Sequence, residues 1–145
     1  MKIMYQDEKV IACIEKDDTN ERKIIESVQE NGVTDFEVDS ENPMLYSEDG
    51  LLYGKKKTMP NGETRLTLIA APPDKKGTVK VAYGTEIIAG DAFADSKASK
   101  VILPETVTSI TPYAFRIISG NPRQFNYRDV SVWFFKSIKI LPATF

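Results

Sequence analysis

The chain has 145 residues, 41% of them hydrophobic and 28% charged, with a formal net charge of −2. That balance suits one globular domain or a short repeat array with a terminal cap, and it argues against wholesale disorder and against a general attraction to nucleic acid or acidic membrane. Histidine is absent and Cys13 is the single cysteine, which excludes an internal disulfide, His-dependent catalytic triads and His-ligated zinc.

Residues 1–7 hold one Lys and no apolar stretch of the ~7–15 residues a signal peptide requires. Apolar runs elsewhere are short against the roughly 20 residues of a membrane helix, so no membrane insertion is expected. Residues 9–15 (KVIACIE) read as a strand in which Cys13 packs. Asp17-Asp18-Thr19-Asn20 is turn-like, and Thr19 or Asn20 can cap the amphipathic helix predicted over 20–31. Its stripe of Ile24, Ile25 and Val28 is expected to cover an open end of the core, and Asn31-Gly32 is the stop.

Val33, Phe36 and Val38 lie on one face of the next strand, spaced like Ala98, Val101 and Leu103 further on. Asn42-Pro43 begins a turn. Asp49-Gly50 between Leu45-Tyr46 and Leu51-Leu52-Tyr53 predicts a β-hairpin. Pro60-Asn61-Gly62 gives a second turn, residues 66–71 a second apolar strand, and Pro72-Pro73 closes the insert.

Residues 79–93 (VKVAYGTEIIAGDAF) and 101–115 (VILPETVTSITPYAF) superimpose at a shift of 22. Val79 then falls on Val101, Val81 on Leu103, Ile88 on Ile110 and Phe93 on Phe115. A period in the twenties belongs to solenoids, whose units bury apolar sides against one another. The alternation turns Val79, Val81, Val101 and Leu103 inward and Lys80 and Ile102 outward. Pro104 lacks an N–H and ends its strand, whereas Ala82 stands at that position in the first copy. Val107 and Ile110 return to the core, and Ala114-Phe115 make a buried corner. Residues 120–127 read as a loop, and Trp133-Phe134-Phe135 as core beneath the last strand rather than as an exposed patch. Around Ile138-Lys139-Ile140-Leu141-Pro142 two registers compete. Placing Ile138 and Ile140 on Val101 and Leu103 is preferred, because the alternative buries Lys139.

The string VILPETVTSITPYAF resembles the repeat consensus of the BspA-like leucine-rich-repeat family. Phe36-Glu-Val38, Asn42-Pro43, Tyr46 to Lys55 and Leu68 to Pro72 look like that family's irregular N-P-x-Y-x-x-x-D-G-x-L-Y-x-K segment, with one extra residue at Met44-Leu45. The likeness covers about residues 33–115. It implies an α/β repeat fold: a short right-handed leucine-rich-repeat solenoid with parallel strands, an inserted β-hairpin and an N-terminal capping helix. The expected division is 1–32 as cap, 33–115 as repeat core including the hairpin insert 43–73, and 116–145 as an irregular C-terminal repeat or cap. Proteins of this family are generally surface or secreted binding and adhesion modules, so the cell surface is the expected location, with the cytoplasm the alternative.

Candidate catalytic groups are weak. The carboxylate pairs Asp17/Asp18, Asp39/Glu41 and Glu48/Asp49 sit in turn-like segments and read as solvated surface. Residues 39–43 are interrupted by Pro43 and lack the spacing of a calcium loop. Gly84, Gly90 and Gly120 form no phosphate loop, and the lysines at 55–57, 75–76, 97 and 100 read as solvated loops. The expected function is therefore a non-enzymatic protein- or glycan-binding module, without cofactor, metal or nucleic acid. Its candidate exposed strand-face residues are Glu37, Lys80 and Ile102. The alternatives are a carboxylate-dependent hydrolase and a structural spacer of a larger surface protein. An uncapped solenoid end would favour a homodimer.

Overall fold

The computed structural model describes residues 1–58, 60, 64–111 and 113–115, with the backbone alone at 56–58, 64, 65, 133–135 and 138–142. The chain begins with an antiparallel pair, β1 (Lys2–Gln6) and β2 (Lys9–Ile14), joined through Asp7 at φ 53°. β1 was not legible beforehand: four of its five residues are exposed, so it lacks a two-residue alternation. Helix α1 (Glu21–Gln29) follows, with Asn20 as N-cap accepting from the Lys23 N–H at 3.1 Å. The chain then returns as β3 (Asp35–Val38), parallel to β2, with Ala12 opposite Phe36 and Ile14 opposite Val38. The apolar stripe explains why the helix lies there: Ile24 and Val28 are buried with Ala12, Ile14, Val33, Phe36, Leu45 and Leu52.

β4 (Leu45–Glu48) and β5 (Leu51–Thr58) form the expected hairpin, and both turn residues take positive φ, Asp49 at 51° and Gly50 at 80°. That is the mirror-image turn whose twist matches paired strands. β6 (Thr64–Ala70) pairs antiparallel with β5, and Pro60-Asn61-Gly62 lies mostly outside the described residues. On its other edge β6 pairs parallel with β8 (Ile87–Ile88), which pairs parallel with β10 (Ser109–Ile110). The insert is thus built into the repeat array, its last strand opening a ladder in which Leu68, Ile88 and Ile110 are register partners.

A second parallel ladder runs through β7 (Gly77–Lys80), β9 (Ala98–Leu103) and β12 (Ile138–Pro142), with β11 (Trp133–Phe135) antiparallel at its end. Val79 lies opposite Val101 and Ile88 opposite Ile110, the shift of 22 shown by the repeat. The chain alternates between the two ladders and forms a β-solenoid of about four turns. Val79, Val81, Val101, Ile88, Phe93 and Phe115 share one core, each at or near 1% exposure. The Phe93 and Phe115 rings stack with centroids 4.7 Å apart. Full burial of each phenyl contributes roughly 1.5–3 kcal/mol, beyond which the stack adds its own attraction.

Two expectations are corrected. The repeats are not α/β units: α1 is the one helix among the described residues and precedes them. Residues 89–96 are bent by hydrogen bonds between Ala92 N–H and Ala89 O, Ala94 N–H and Asp91 O, and Ser96 N–H and Phe93 O. Positive φ at Asp91 and Asp95 breaks any helix there. The last strand also takes neither register weighed from sequence. Ile140 pairs with Val101 and Pro142 with Leu103, two residues from the preferred alignment. Because strand faces alternate every two residues, that shift keeps Ile138 and Ile140 in phase with Val101. The side chains of Trp133, Phe134 and Phe135 lie outside the described residues.

Asn42 ties the N-terminal unit to the hairpin. Fully buried, it donates from Nδ2 to the carbonyls of Glu15 (2.9 Å) and Asp18 (2.8 Å) and accepts at Oδ1 from the N–H groups of Met44 and Leu45, both at 3.0 Å. Both donors and both acceptor sites of the amide are used, which is what makes its burial tolerable.

Candidate binding face

The short strands β7 and β9 are fixed by inward Val79, Val81, Val101 and Leu103, all 5% exposed or less. The pleat therefore directs the intervening residues away from the core. Lys80 is exposed and Ile102 partly so, and the two are direct register partners on adjacent parallel rungs. Leu141 occupies the next register position beyond Ile102, and Lys139 the one beyond Lys100. Register positions thus line up in rows across the strands, ~4.8 Å per rung.

Glu37 is exposed but belongs to the other parallel pair, β2–β3, and is not brought beside Lys80 and Ile102. The tip of the β4–β5 hairpin accounts for the separation, since Gly50 O accepts from the Phe36 N–H at 2.9 Å. Around it a shallow groove of about 410 Å³ is lined by Lys9, Ile11, Phe36, Glu37 and Asp49 among others. Thr34 Oγ1 donates to Asp35 Oδ2 at 2.9 Å, and Lys75 Nζ lies 3.5 Å from Asp35 Oδ1. Gly50 is required there twice over. Its φ is +80°, and an added Cβ would sit 2.5 Å from Asp35 Oδ1. The groove was missed because it depends on a hairpin tip meeting a strand of distant sequence, for which no local signal exists. Lys75 Nζ thus meets the Asp35 carboxylate and also donates to the backbone carbonyl of Asp49 at 3.4 Å.

Cys13 is partly buried, its Sγ donating to Met4 Sδ at 3.3 Å. Burial first, and then the Glu37 carboxylate, push its thiol pKa up, away from the reactive thiolate. Among the described residues no cluster of three or more His, Cys, Asp or Glu side chains is arranged to hold a metal ion. No helix among them is long and apolar enough to cross a membrane.

Tyr53 links hairpin to solenoid. Its ring is fully buried, stacked on Tyr46 with centroids 5.3 Å apart, and its Oη accepts from the Ala82 N–H at 3.0 Å. Burial pushes its pKa up to about 12. The bond accounts for the departure from the repeat at this position: Ala82 supplies an N–H that a proline, as at Pro104, would lack.

No family model and no curated protein matches the chain. Among solved structures it is similar to a leucine rich cell surface protein of Faecalibacterium prausnitzii A2-165, at 24% identity and TM-score 0.47 over 58% of this chain and 21% of that one. It is also similar to the pneumococcal vaccine antigen PcpA, at 28% identity and TM-score 0.48 over 58% of this chain and 19% of that one. A leucine-rich repeat protein of Eubacterium ventriosum shows 18% identity and TM-score 0.41, covering 69% of this chain and 31% of that one. The chain thus spans about a fifth to a third of the length of each. The solenoid assignment stands on the register of the chain's own ladders.

Proposed function

We propose that this chain is a non-enzymatic interaction module, part of a leucine-rich-repeat surface or secreted protein, that binds a ligand across the β7–β9–β12 strand face. The observation that carries this reading is the register of Lys80 with Ile102 on adjacent parallel rungs. Rungs in register turn a linear repeat into a two-dimensional array of outward side chains, the kind of extended surface through which solenoids bind. We further read the array as right-handed, with α1 capping its N-terminal end through Ile24 and Val28. Glu37, in its own groove, extends the surface only for a ligand that also crosses the hairpin tip. A dimer formed through a solenoid end is the alternative to capping, and light scattering across a concentration series distinguishes them.

The test compares two faces. Ligands found on glycan and surface-protein arrays are re-measured with Lys80→Asp and Ile102→Arg on the strand face, and with Thr67→Asp on the other ladder. Loss restricted to the strand-face pair is the expected result. Equal loss from both faces, or binding indifferent to Lys80 and Ile102, overturns the reading.

A further inference from the structure

We infer that the strand face is built for an acidic polysaccharide, an inference that rests on the binding-module reading above. Its first support is charge segregation. The chain as a whole is acidic, with net charge −2, yet the outward face of the β7–β9 ladder carries cations. Lys80 is exposed and Lys100 half-buried on adjacent rungs, two positions apart along the strands, and Lys76 is exposed just before β7. Lys139 occupies the register position after Lys100. Among the described residues none of Lys76, Lys80 and Lys100 has an ion-pair partner within 4.0 Å, whereas nearby Asp74 is taken up by Lys97 at 3.1 Å. Glu105 lies beyond the strand-ending Pro104. Cations without ion-pair partners on adjacent rungs, offset diagonally because Lys80 lies beside Ile102 and Lys100 beside Thr78, suit a partner that carries several anionic groups and lies across the strands.

The second support is aromatic. Tyr83, three residues after Lys80, is the most exposed large hydrophobic side chain described, at 76%. A phenol ring held in solvent offers an apolar face and a polar tip, which suits the C–H face of a sugar ring and its hydroxyls. An acidic peptide would use the lysines equally well but gains nothing specific from a single exposed ring. Cations on adjacent rungs, partly exposed Ile102 beside Lys80 and an exposed ring three residues further along the chain fit a carboxylated or sulfated glycan.

The test measures binding of short oligogalacturonates, their methyl esters (same sugars, no charge) and poly-L-glutamate, by calorimetry at low and high salt. The acid oligosaccharide is expected to bind and the ester to bind at least about tenfold more weakly, with affinity falling as salt shortens the screening length from about 10 Å at 0.1 M to about 3 Å at 1 M. Lys80→Glu with Lys100→Glu is expected to weaken binding at least tenfold. Tyr83→Ala should weaken the oligosaccharide but leave poly-L-glutamate unchanged. Heparin serves as the sulfated probe, and tighter binding to it under the same two variants also supports the inference. Poly-L-glutamate binding as tightly as the sugar, with Tyr83→Ala without effect, overturns it in favour of an acidic peptide. No binding to any polyanion, while another ligand still requires Lys80 and Ile102, overturns it and leaves the binding-module reading intact. Retention of the circular dichroism spectrum by each variant separates lost binding from lost fold.

Discussion

The two copies of the repeat share a backbone and differ in what lies beside them. Residues 79–93 abut the hairpin on one side, whereas residues 101–115 abut the first copy. Where the first copy has Ala82, an N–H meets the Tyr53 hydroxyl; where the second has Pro104, no donor needs a partner. At Thr85 the first copy carries a fully buried hydroxyl with no hydrogen-bond partner among the described residues, and the second has Val107 there. At the equivalent turn, Asp91 and Tyr113 both take positive φ, 63° and 71°. Departures from a repeat are therefore of two kinds: Ala82 answers a neighbour, whereas Thr85 answers none that the structure shows.

The largest expected effect removes what the copies share. Phe115→Ala or Phe93→Ala leaves a cavity beside the remaining ring and should destabilise by about 3–5 kcal/mol in denaturant titrations. The double variant should cost less than the sum of the singles, by about 0.5–1.5 kcal/mol, because the stack is lost only once. Strict additivity would show that the rings do not meet.

Next comes the pH response of the side that only the first copy touches. The folded-state pKa of Tyr53 is raised to about 12 from 10.0. The neutral phenol is thus favoured by folding, and its contribution is intact below pH 10 and lost as pH rises through the folded value. Two pKa units correspond to roughly 2–3 kcal/mol. Wild type should lose about that much more stability than Tyr53→Phe between pH 9 and pH 12. Parallel curves would contradict the burial of the hydroxyl.

Ala82→Pro makes the first copy conform to the second. It should destabilise wild type by about 1–3 kcal/mol, because the Tyr53 hydroxyl loses its donor, and noticeably less in a Tyr53→Phe background. An equal penalty in both backgrounds would place the cause in the backbone. The smallest effect should be a gain: Thr85→Val, matching Val107, removes an unpartnered hydroxyl at nearly constant shape and should stabilise by about 1 kcal/mol. Destabilisation would reveal a partner for that hydroxyl.

Legibility in the sequence followed the range of the interactions. The period-22 stacking, the inward valines, the phenylalanine corner, the Asp49-Gly50 turn and the Asn20-capped helix all rest on local pattern, and the structure has them. Asn42 reads locally as a turn residue, and nothing nearby announces its four bonds to segments on both sides. The double pairing of β6, the Tyr53–Ala82 contact and the groove beside Glu37 are tertiary and carry no local signature. For the same reason Lys80 and Ile102 could be placed together from the repeat, whereas Glu37, separated from them by the hairpin tip, could not.

The most direct test of the stacked ladders is NMR scalar coupling across their hydrogen bonds. The account predicts couplings from Val81 N to the Ile102 carbonyl carbon, from Phe93 N to that of Ala114 and from Thr111 N to that of Ile88, bonds of 3.0, 2.7 and 2.9 Å. Couplings joining these amides to other carbonyls, or contacts showing that the strand at Val79 runs opposite to the strand at Val101, would contradict it.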